Sequence, residues 1–266
     1  MKSLKNWLLV LSVLSCFGCS SSVHEDGRGC AFVSDSIQYR VEFISEGCVR
    51  ILSFPEGDTL VTKRLVVDSQ KSAFKDYKWK DTGQQLIFST RELSVAFDKE
   101  DAAFTFQEVS TGKLLLKEKE AKKARHFKRS VAGGEQCLEV TQRFVPTDDE
   151  AIYGLGQYQN GIMNYRGKSV LLLQANMDIV NPFLISTNGY GILWDNYSST
   201  KFEDTKEGYS FTSEVGDASD YYFVYGKNMD EVVAGYRELT GDVPMFGKWV
   251  YGFWQSKERY KSFNEL

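Results

Sequence analysis

The sequence predicts an all-β fold, a β-sandwich with one short helix, and three observations support this prediction. Apolar and polar residues alternate from Ile37 to Phe43, as they do in a strand with one buried face. Short apolar runs bounded by turn residues recur along the first 150 residues. Helical periodicity is lacking between these runs, and short strands at such spacing are typical of a sandwich.

The predicted strands follow one another in hairpins. The turn "SEG" joins "IQYRVEFI" to "CVRILSF", and the turn "DKED" joins "LSVAFD" to "AFTFQEV". The runs "KLLLKEK" and "CLEVTQRFV" continue the pattern. The charged stretch from Leu116 to Gln136 contains two adjacent glycines. It is interpreted as a solvated hairpin connection rather than as a site for an acidic ligand.

A single stretch, "NMDEVVAGYRELTG", predicts a helix. Asn228 and Glu231 have the spacing of a capping box, and Gly241 supplies the C-terminal stop. One face of this helix carries Val232, Tyr236 and Leu239. Pro244 prevents any continuation, so a domain boundary is predicted near residues 241–247.

The N-terminal segment "MKSLKNWLLVLSVLSCFGCSSS" resembles a bacterial lipoprotein signal, with a basic start, an apolar stretch and small residues before a cysteine. The apolar stretch is too short to span a membrane as a helix. Cys19 is the predicted lipidation site, Cys16 is the alternative, and a plain secretory signal is the third interpretation. Residues 1–19 are assigned to the signal peptide and residues 20–29 to a tether. The expected product is an exported lipoprotein, periplasmic or outer-membrane associated, held to the membrane by its lipid.

Composition argues against several classes of function. The formal net charge of −4 provides no basic surface, so nucleic acid is not an expected partner. The cysteines that follow the signal (Cys30, Cys48 and Cys137) form no CxxC pair, and the only histidines are His24 and His126. A metal site is therefore not expected, buried free thiols are favoured over a disulfide, and no cofactor is predicted.

The most distinctive motifs lie between Tyr153 and Thr205. They are, in order, "YGLG", the loop "QANMD", the run "PFLISTNGYG" and the strand "WDN". The predicted helix and "PMFGKWVYGFWQ" follow. In this order the motifs resemble the N-terminal part of glycoside hydrolase family 31, the α-glucosidases and α-xylosidases. "GQYQNG" and "FWQSKERY" look most similar to the α-xylosidase-like branch, which acts on xyloglucan fragments.

The resemblance implies a fold and a set of domain bounds. Residues 30–243 are expected to form a galactose-mutarotase-like β-sandwich. Residues 244–266 are expected to contain the truncated first strand of a catalytic (β/α)8 barrel, with "VYGFW" as a buried strand. A complete barrel takes about 250 residues, so the missing barrel domain is an implied partner.

The implied reaction is retaining hydrolysis of an α-glycoside, which requires two carboxylates about 5–5.5 Å apart. In the family both lie on later barrel strands, in motifs that this sequence lacks. No catalytic residue is therefore nominated, and the chain alone is expected to be inactive.

Four residues are candidates for substrate binding. In the family a sandwich loop reaches over the barrel mouth, and the matching loop here contains Asn176 and Asp178. These side chains suit vicinal sugar hydroxyls; the alternative is an Asx turn, in which they cap their own backbone. Trp254 and Tyr260 follow the barrel strand, at the face where barrel active sites form. In the intact enzyme either is expected to border the sugar site, although core packing is the favoured role for Trp254.

Two functional hypotheses follow. The leading one is an N-terminal fragment of an α-xylosidase or α-glucosidase that handles oligosaccharides. The alternative is a non-catalytic surface lipoprotein whose sandwich binds a glycan or another protein.

Overall fold

The structure is a computed structural model that describes residues 23–58, 65–67, 74–120, 125–254 and 259–265. Two antiparallel sheets lie face to face around one core, which confirms the predicted all-β sandwich. Cys16 and Cys19 lie outside the described residues. Within the described part of the chain, no helix is long and apolar enough to cross a membrane.

The first sheet has eight strands, and their paired order is β1-β2-β3-β4-β18-β15-β14-β12. Their bounds, in chain order, are β1 (His24–Glu25), β2 (Cys30–Ser34), β3 (Ile37–Phe43), β4 (Cys48–Pro55), β12 (Ile152–Gln157), β14 (Ile179–Ser186), β15 (Tyr190–Trp194) and β18 (Ser219–Tyr225).

The second sheet runs β13-β16-β17-β11-β9-β8-β7-β6-β5, and β10 adds to β11. Its bounds are β5 (Lys78–Asp81), β6 (Gln85–Ser89), β7 (Leu93–Asp98), β8 (Ala103–Glu108), β9 (Leu114–Glu118), β10 (Arg125–Ala132), β11 (Glu135–Val145), β13 (Ser169–Leu172), β16 (Thr200–Thr205) and β17 (Gly208–Gly216).

Aromatic rings fill the space between the sheets. The Trp194 ring is fully buried and stacks on Phe211 with centroids 5.4 Å apart, and its Nε1 donates to Ser213 Oγ at 2.9 Å. Tyr190 is likewise buried and stacks on Phe223 at 5.5 Å. Both residues therefore lie in the core. Offset stacking of this kind stabilises a pair by about 0.5–1.5 kcal/mol beyond the burial of its area.

The prediction of a solvated connection from residue 116 to 136 is wrong in part. The Gly133–Gly134 turn does join β10 to β11 at the surface, but Glu118 and Arg125 are buried in the core and form an ion pair. Arg125 also donates to Ala102 O at 3.0 Å. The attraction between the opposite charges offsets part of the desolvation penalty of burying each one, and composition alone does not reveal such a pair.

The predicted helix is confirmed as α1 (Met229–Thr240), which covers part of the outer face of the first sheet. Asn228 Oδ1 accepts from Glu231 N at 3.0 Å, and Gly241 ends the helix with a φ of 94°. Buried Val232 and Leu239 point towards the sheet. There Tyr236 stacks on Phe183 with centroids 4.2 Å apart.

Part of the predicted tether forms a strand. His24 and Glu25, which the sequence analysis assigned to the tether, form β1 and pair with Ala31 and Cys30. The chain turns back because Asp26 accepts hydrogen bonds from two following backbone N–H groups.

The three described cysteines are free thiols, as expected, with Cys30 and Cys48 buried and Cys137 half-buried.

The strand predicted for "VYGFW" is absent from the described residues. Lys248–Tyr251 form a short 3-10 helix instead, and Phe253 and Trp254 follow it without regular structure. Trp254 is 62% exposed here, and its role in the intact enzyme stays a prediction. A strand exists only where a neighbouring strand accepts and donates its backbone hydrogen bonds, and no described strand pairs with this segment.

Candidate functional site

The candidate site lies at the end of the sandwich where the sheets finish in β12 and β13. The "YGLG" motif forms most of β12 and pairs with β14. Gly154 is opposite Leu184 and Gly156 is opposite Val180, so three residues of β14 lie across from the single residue Leu155. This bulge brings the start of β14 close to β12.

Gly156 is required by that close approach. Its φ is 120°, and a Cβ at this position would lie 2.1 Å from Ile179 O and 2.9 Å from Asn181 N. Both atoms belong to the backbone, so the contact has no flexible side chain that can move aside. The glycine thereby fixes where the loop before Ile179 joins the sheet.

Residues 173–178 connect β13 of the second sheet to β14 of the first. Gln174 holds this loop from both sides: its Nε2 donates to Asp178 O at 2.8 Å, and its Oε1 accepts from Val180 N at 3.2 Å. Asp178 N donates to Ala175 O at 3.3 Å. Met177 has a φ of 70° with a side chain that is 62% exposed. The result is a tight loop with a left-handed residue at its tip.

The two loop candidates differ in exposure. Asn176 is exposed and Asp178 is partly exposed, and neither side chain makes a hydrogen bond to any described residue. The Asx turn weighed as an alternative is therefore not formed within the described chain. Ligand binding by Asn176 and Asp178 stays a prediction.

Tyr158 directly follows β12 and lies near enough to Asp178 to be affected by its charge. Its hydroxyl donates to Leu155 O at 2.9 Å, and its ring packs against the core. Burial, together with the nearby Tyr165 and the charge of Asp178, raises the pKa of Tyr158 to about 12. Tyr158 is therefore a neutral hydrogen-bonding group beside the carboxylate at every ordinary pH.

The other two candidates lie in the C-terminal tail. Trp254 Nε1 donates to Val250 O at 2.8 Å, and its ring is 5.9 Å from that of Trp249. Tyr260 is partly buried. The hydrogen bond and ring contact of Trp254 are both within the tail, so they do not bring it to the loop that contains Asp178.

Two buried carboxylates, those of Glu118 and Glu150, accept hydrogen bonds inside the fold. Burial raises the pKa of Glu118, which accepts from Arg125, Phe104 N and Tyr221. Burial also raises the pKa of Glu150, whose Oε1 accepts from Tyr190 at 2.8 Å. A general acid needs a raised pKa and access to substrate, and these groups lie inside the sandwich.

Comparison with known proteins identifies the family. Residues 38–203 match the model of the "Glycosyl hydrolase 31 N-terminal galactose mutarotase-like domain". The chain belongs to glycoside hydrolase family 31. The sequence resemblance and the expected galactose-mutarotase-like fold are thereby confirmed.

Relatives agree with this assignment. An α-xylosidase of Saccharolobus solfataricus is 37% identical over 246 residues, which are 87% of this chain and 32% of that protein. A family 31 α-xylosidase from Xanthomonas citri has the same fold, with a TM-score of 0.80, 23% identity and coverage of 92% of this chain and 43% of its own. A family 31 α-xylosidase from a soil metagenome, solved with xylose, gives a TM-score of 0.79 at 25% identity, covering 92% of this chain and 38% of its own.

The chain spans 32% of the length of the S. solfataricus α-xylosidase and between 15% and 30% of the length of six other curated relatives. Sequence reasoning reached Asn176 and Asp178 through the resemblance, but it missed the side chain of Gln174, which bonds to both ends of the Asp178–Val180 segment. Gln174 opens the same "QANMD" motif, and its position at the start of a short loop was the available signal.

Proposed function

We propose that this chain is the N-terminal β-sandwich of a retaining α-glycosidase of the α-xylosidase-like type, acting on xyloglucan or α-glucan oligosaccharides. The sandwich contributes a sugar-binding loop, and the catalytic carboxylates belong to the barrel domain of the enzyme. The similarity to α-xylosidases supports the choice of sugar.

One observation carries the proposed role of the loop. The Asp178 carboxylate is held on a tight loop and partly exposed, with no hydrogen bond to any described residue. An ionised carboxylate accepts hydrogen bonds from two adjacent hydroxyls at once, and the Asn176 amide both donates and accepts. This pair suits the vicinal hydroxyls of a pyranose. Each hydrogen bond to a charged group contributes about 1.5–3 kcal/mol to binding.

The proposal assigns no hydrolytic activity to the chain alone. The carboxylates with raised pKa, Glu118 and Glu150, are enclosed by the fold and engaged by structural donors. Purified chain incubated with p-nitrophenyl α-xyloside should release no p-nitrophenol above the rate of buffer. Turnover that survives further purification would contradict this assignment.

The export proposal concerns Cys19, with membrane attachment through its lipid at the periplasmic or outer membrane. Its support is the order of basic, apolar and small residues before that cysteine. Radiolabelled palmitate fed to expressing cells should label the wild type and the Cys16→Ser variant but not Cys19→Ser. Labelling lost in Cys16→Ser alone would assign the lipid to the alternative cysteine. A wild type that takes up no label would leave a plain secretory signal.

A further inference from the structure

We infer that Gln174 is a positioning residue that sets the Asp178 carboxylate for sugar binding, an inference that rests on the proposed function. Gln174 is the residue whose side chain spans the loop. Its amide N–H donates to Asp178 O at 2.8 Å, and its carbonyl oxygen accepts from Val180 N at 3.2 Å. The carbonyl of Asp178 and the backbone N–H of Val180 are therefore both hydrogen-bonded to one side chain, that of Gln174.

The loop has little else to hold its shape. Residues 173–177 are exposed, so burial of apolar surface contributes little to their order. The two hydrogen bonds of Gln174 and the weaker contact of Asp178 N with Ala175 O, at 3.3 Å, are the ties recorded for this turn. Losing the Gln174 bonds leaves the turn dependent on that one long contact.

Met177 supplies a reason for the loop to relax when the tie is removed. A non-glycine residue at a φ of 70° is strained, and its largely exposed side chain does not offset the strain by packing in the core. Without Gln174, Met177 can return to a commoner backbone region. That movement rotates the adjacent peptide and carries the Asp178 side chain away from its position.

Position matters because a carboxylate binds two neighbouring hydroxyls only in a narrow range of orientations. A binding group held within about 0.5 Å of the productive geometry keeps its full effect, whereas a mobile group loses affinity to the entropy of ordering. Gln174 thus acts on the sugar through Asp178, without touching it.

The test uses the purified, isotope-labelled chain, NMR and xylose as the probe. The variants are Gln174→Ala and Gln174→Met, which is similar in size but lacks the hydrogen bonds. The control is Gln107→Ala, because Gln107 is an exposed glutamine on β8 of the second sheet and lies outside the loop. Loss of one hydrogen bond should make the Val180 amide exchange with solvent about tenfold faster in both Gln174 variants, and not in the control.

Xylose titration supplies the readout that a purely structural role does not move. The dissociation constant for xylose, followed at the Asp178 amide, should rise about tenfold in both Gln174 variants while the amide spectra of the two sheets stay unchanged. Equal xylose affinity in wild type and variants would overturn the inference and leave the proposed function intact. Wild-type affinity in Gln174→Met would overturn the role of the hydrogen bonds. If xylose changes no amide chemical shift in the loop of the wild-type chain, the proposed sugar contact is refuted, and the inference with it.

Discussion

Replacing Gly156 with alanine should destabilise the sandwich far more than the same change at Gly161. Both glycines have a positive φ, 120° at Gly156 and 68° at Gly161. An alanine at 68° lies in the left-handed helical region and costs about 1–2 kcal/mol, and an alanine at 120° lies outside that region and costs at least as much. Only Gly156 faces an obstacle. Its new Cβ would lie 2.1 Å from Ile179 O, whereas nothing lies within 4 Å of a Cβ at Gly161.

The additional cost follows from what must move. Because the obstructing atom is backbone, β14 has to shift away from β12, which weakens the pairing of Gly156 with Val180. Forcing extra volume into a packed site costs about 1–3 kcal/mol, and loss of a hydrogen bond costs about 1 kcal/mol. Gly156→Ala should therefore lose about 3 kcal/mol more than Gly161→Ala.

The assay is urea unfolding followed by tryptophan fluorescence, with the free energy of unfolding extrapolated to water for each variant. Equal destabilisation by the two alanines, within the error of the extrapolation, would refute the argument from close approach. A large effect in Gly161→Ala alone would do so as well.

Three further predictions use the same unfolding assay. Glu118→Gln should destabilise the fold by about 3–5 kcal/mol, because it leaves the buried Arg125 without its counter-charge; adding Arg125→Met should recover most of the loss, and no recovery would contradict the ion-pair account. Burial raises the pKa of Glu150, so its protonated form favours the folded state, and its contribution to stability falls as pH rises from the ordinary glutamate pKa through the folded one. The stability of Glu150→Gln relative to wild type should therefore increase with pH over that window, and a flat difference would contradict the raised pKa. Trp254→Ala should change stability by less than about 0.5 kcal/mol, because the ring is largely exposed; a larger loss would show that the tail packs on the sandwich.

Much of the fold could be predicted because period-two alternation reports directly on a strand with one buried face. Strand β7, for example, buries Leu93, Val95 and Phe97 in the predicted alternation. The helix was predictable for a similar reason, since its cap, apolar face and glycine stop are all local signals. These features depend on neighbours a few residues apart in sequence.

The remaining features depend on distant partners. Arg50 on β4 is buried because Asp220, 170 residues later, accepts two hydrogen bonds from its guanidinium. The expected strand "VYGFW" failed because a strand needs a partner strand, which an apolar run does not specify. At the site, the family resemblance pointed to Asp178. The two hydrogen bonds of the Gln174 side chain depend on a loop geometry that no local sequence pattern encodes.

Xylose binding by the Asp178→Ala variant tests the central claim most directly. Asp217→Ala is the matched control, since Asp217 is an exposed aspartate in the turn between β17 and β18. The account predicts xylose-dependent shifts in the amides of residues 174–180 of the wild type and of Asp217→Ala, and their loss in Asp178→Ala. Shifts that persist unchanged in Asp178→Ala, or that never arise in the wild type, would contradict it.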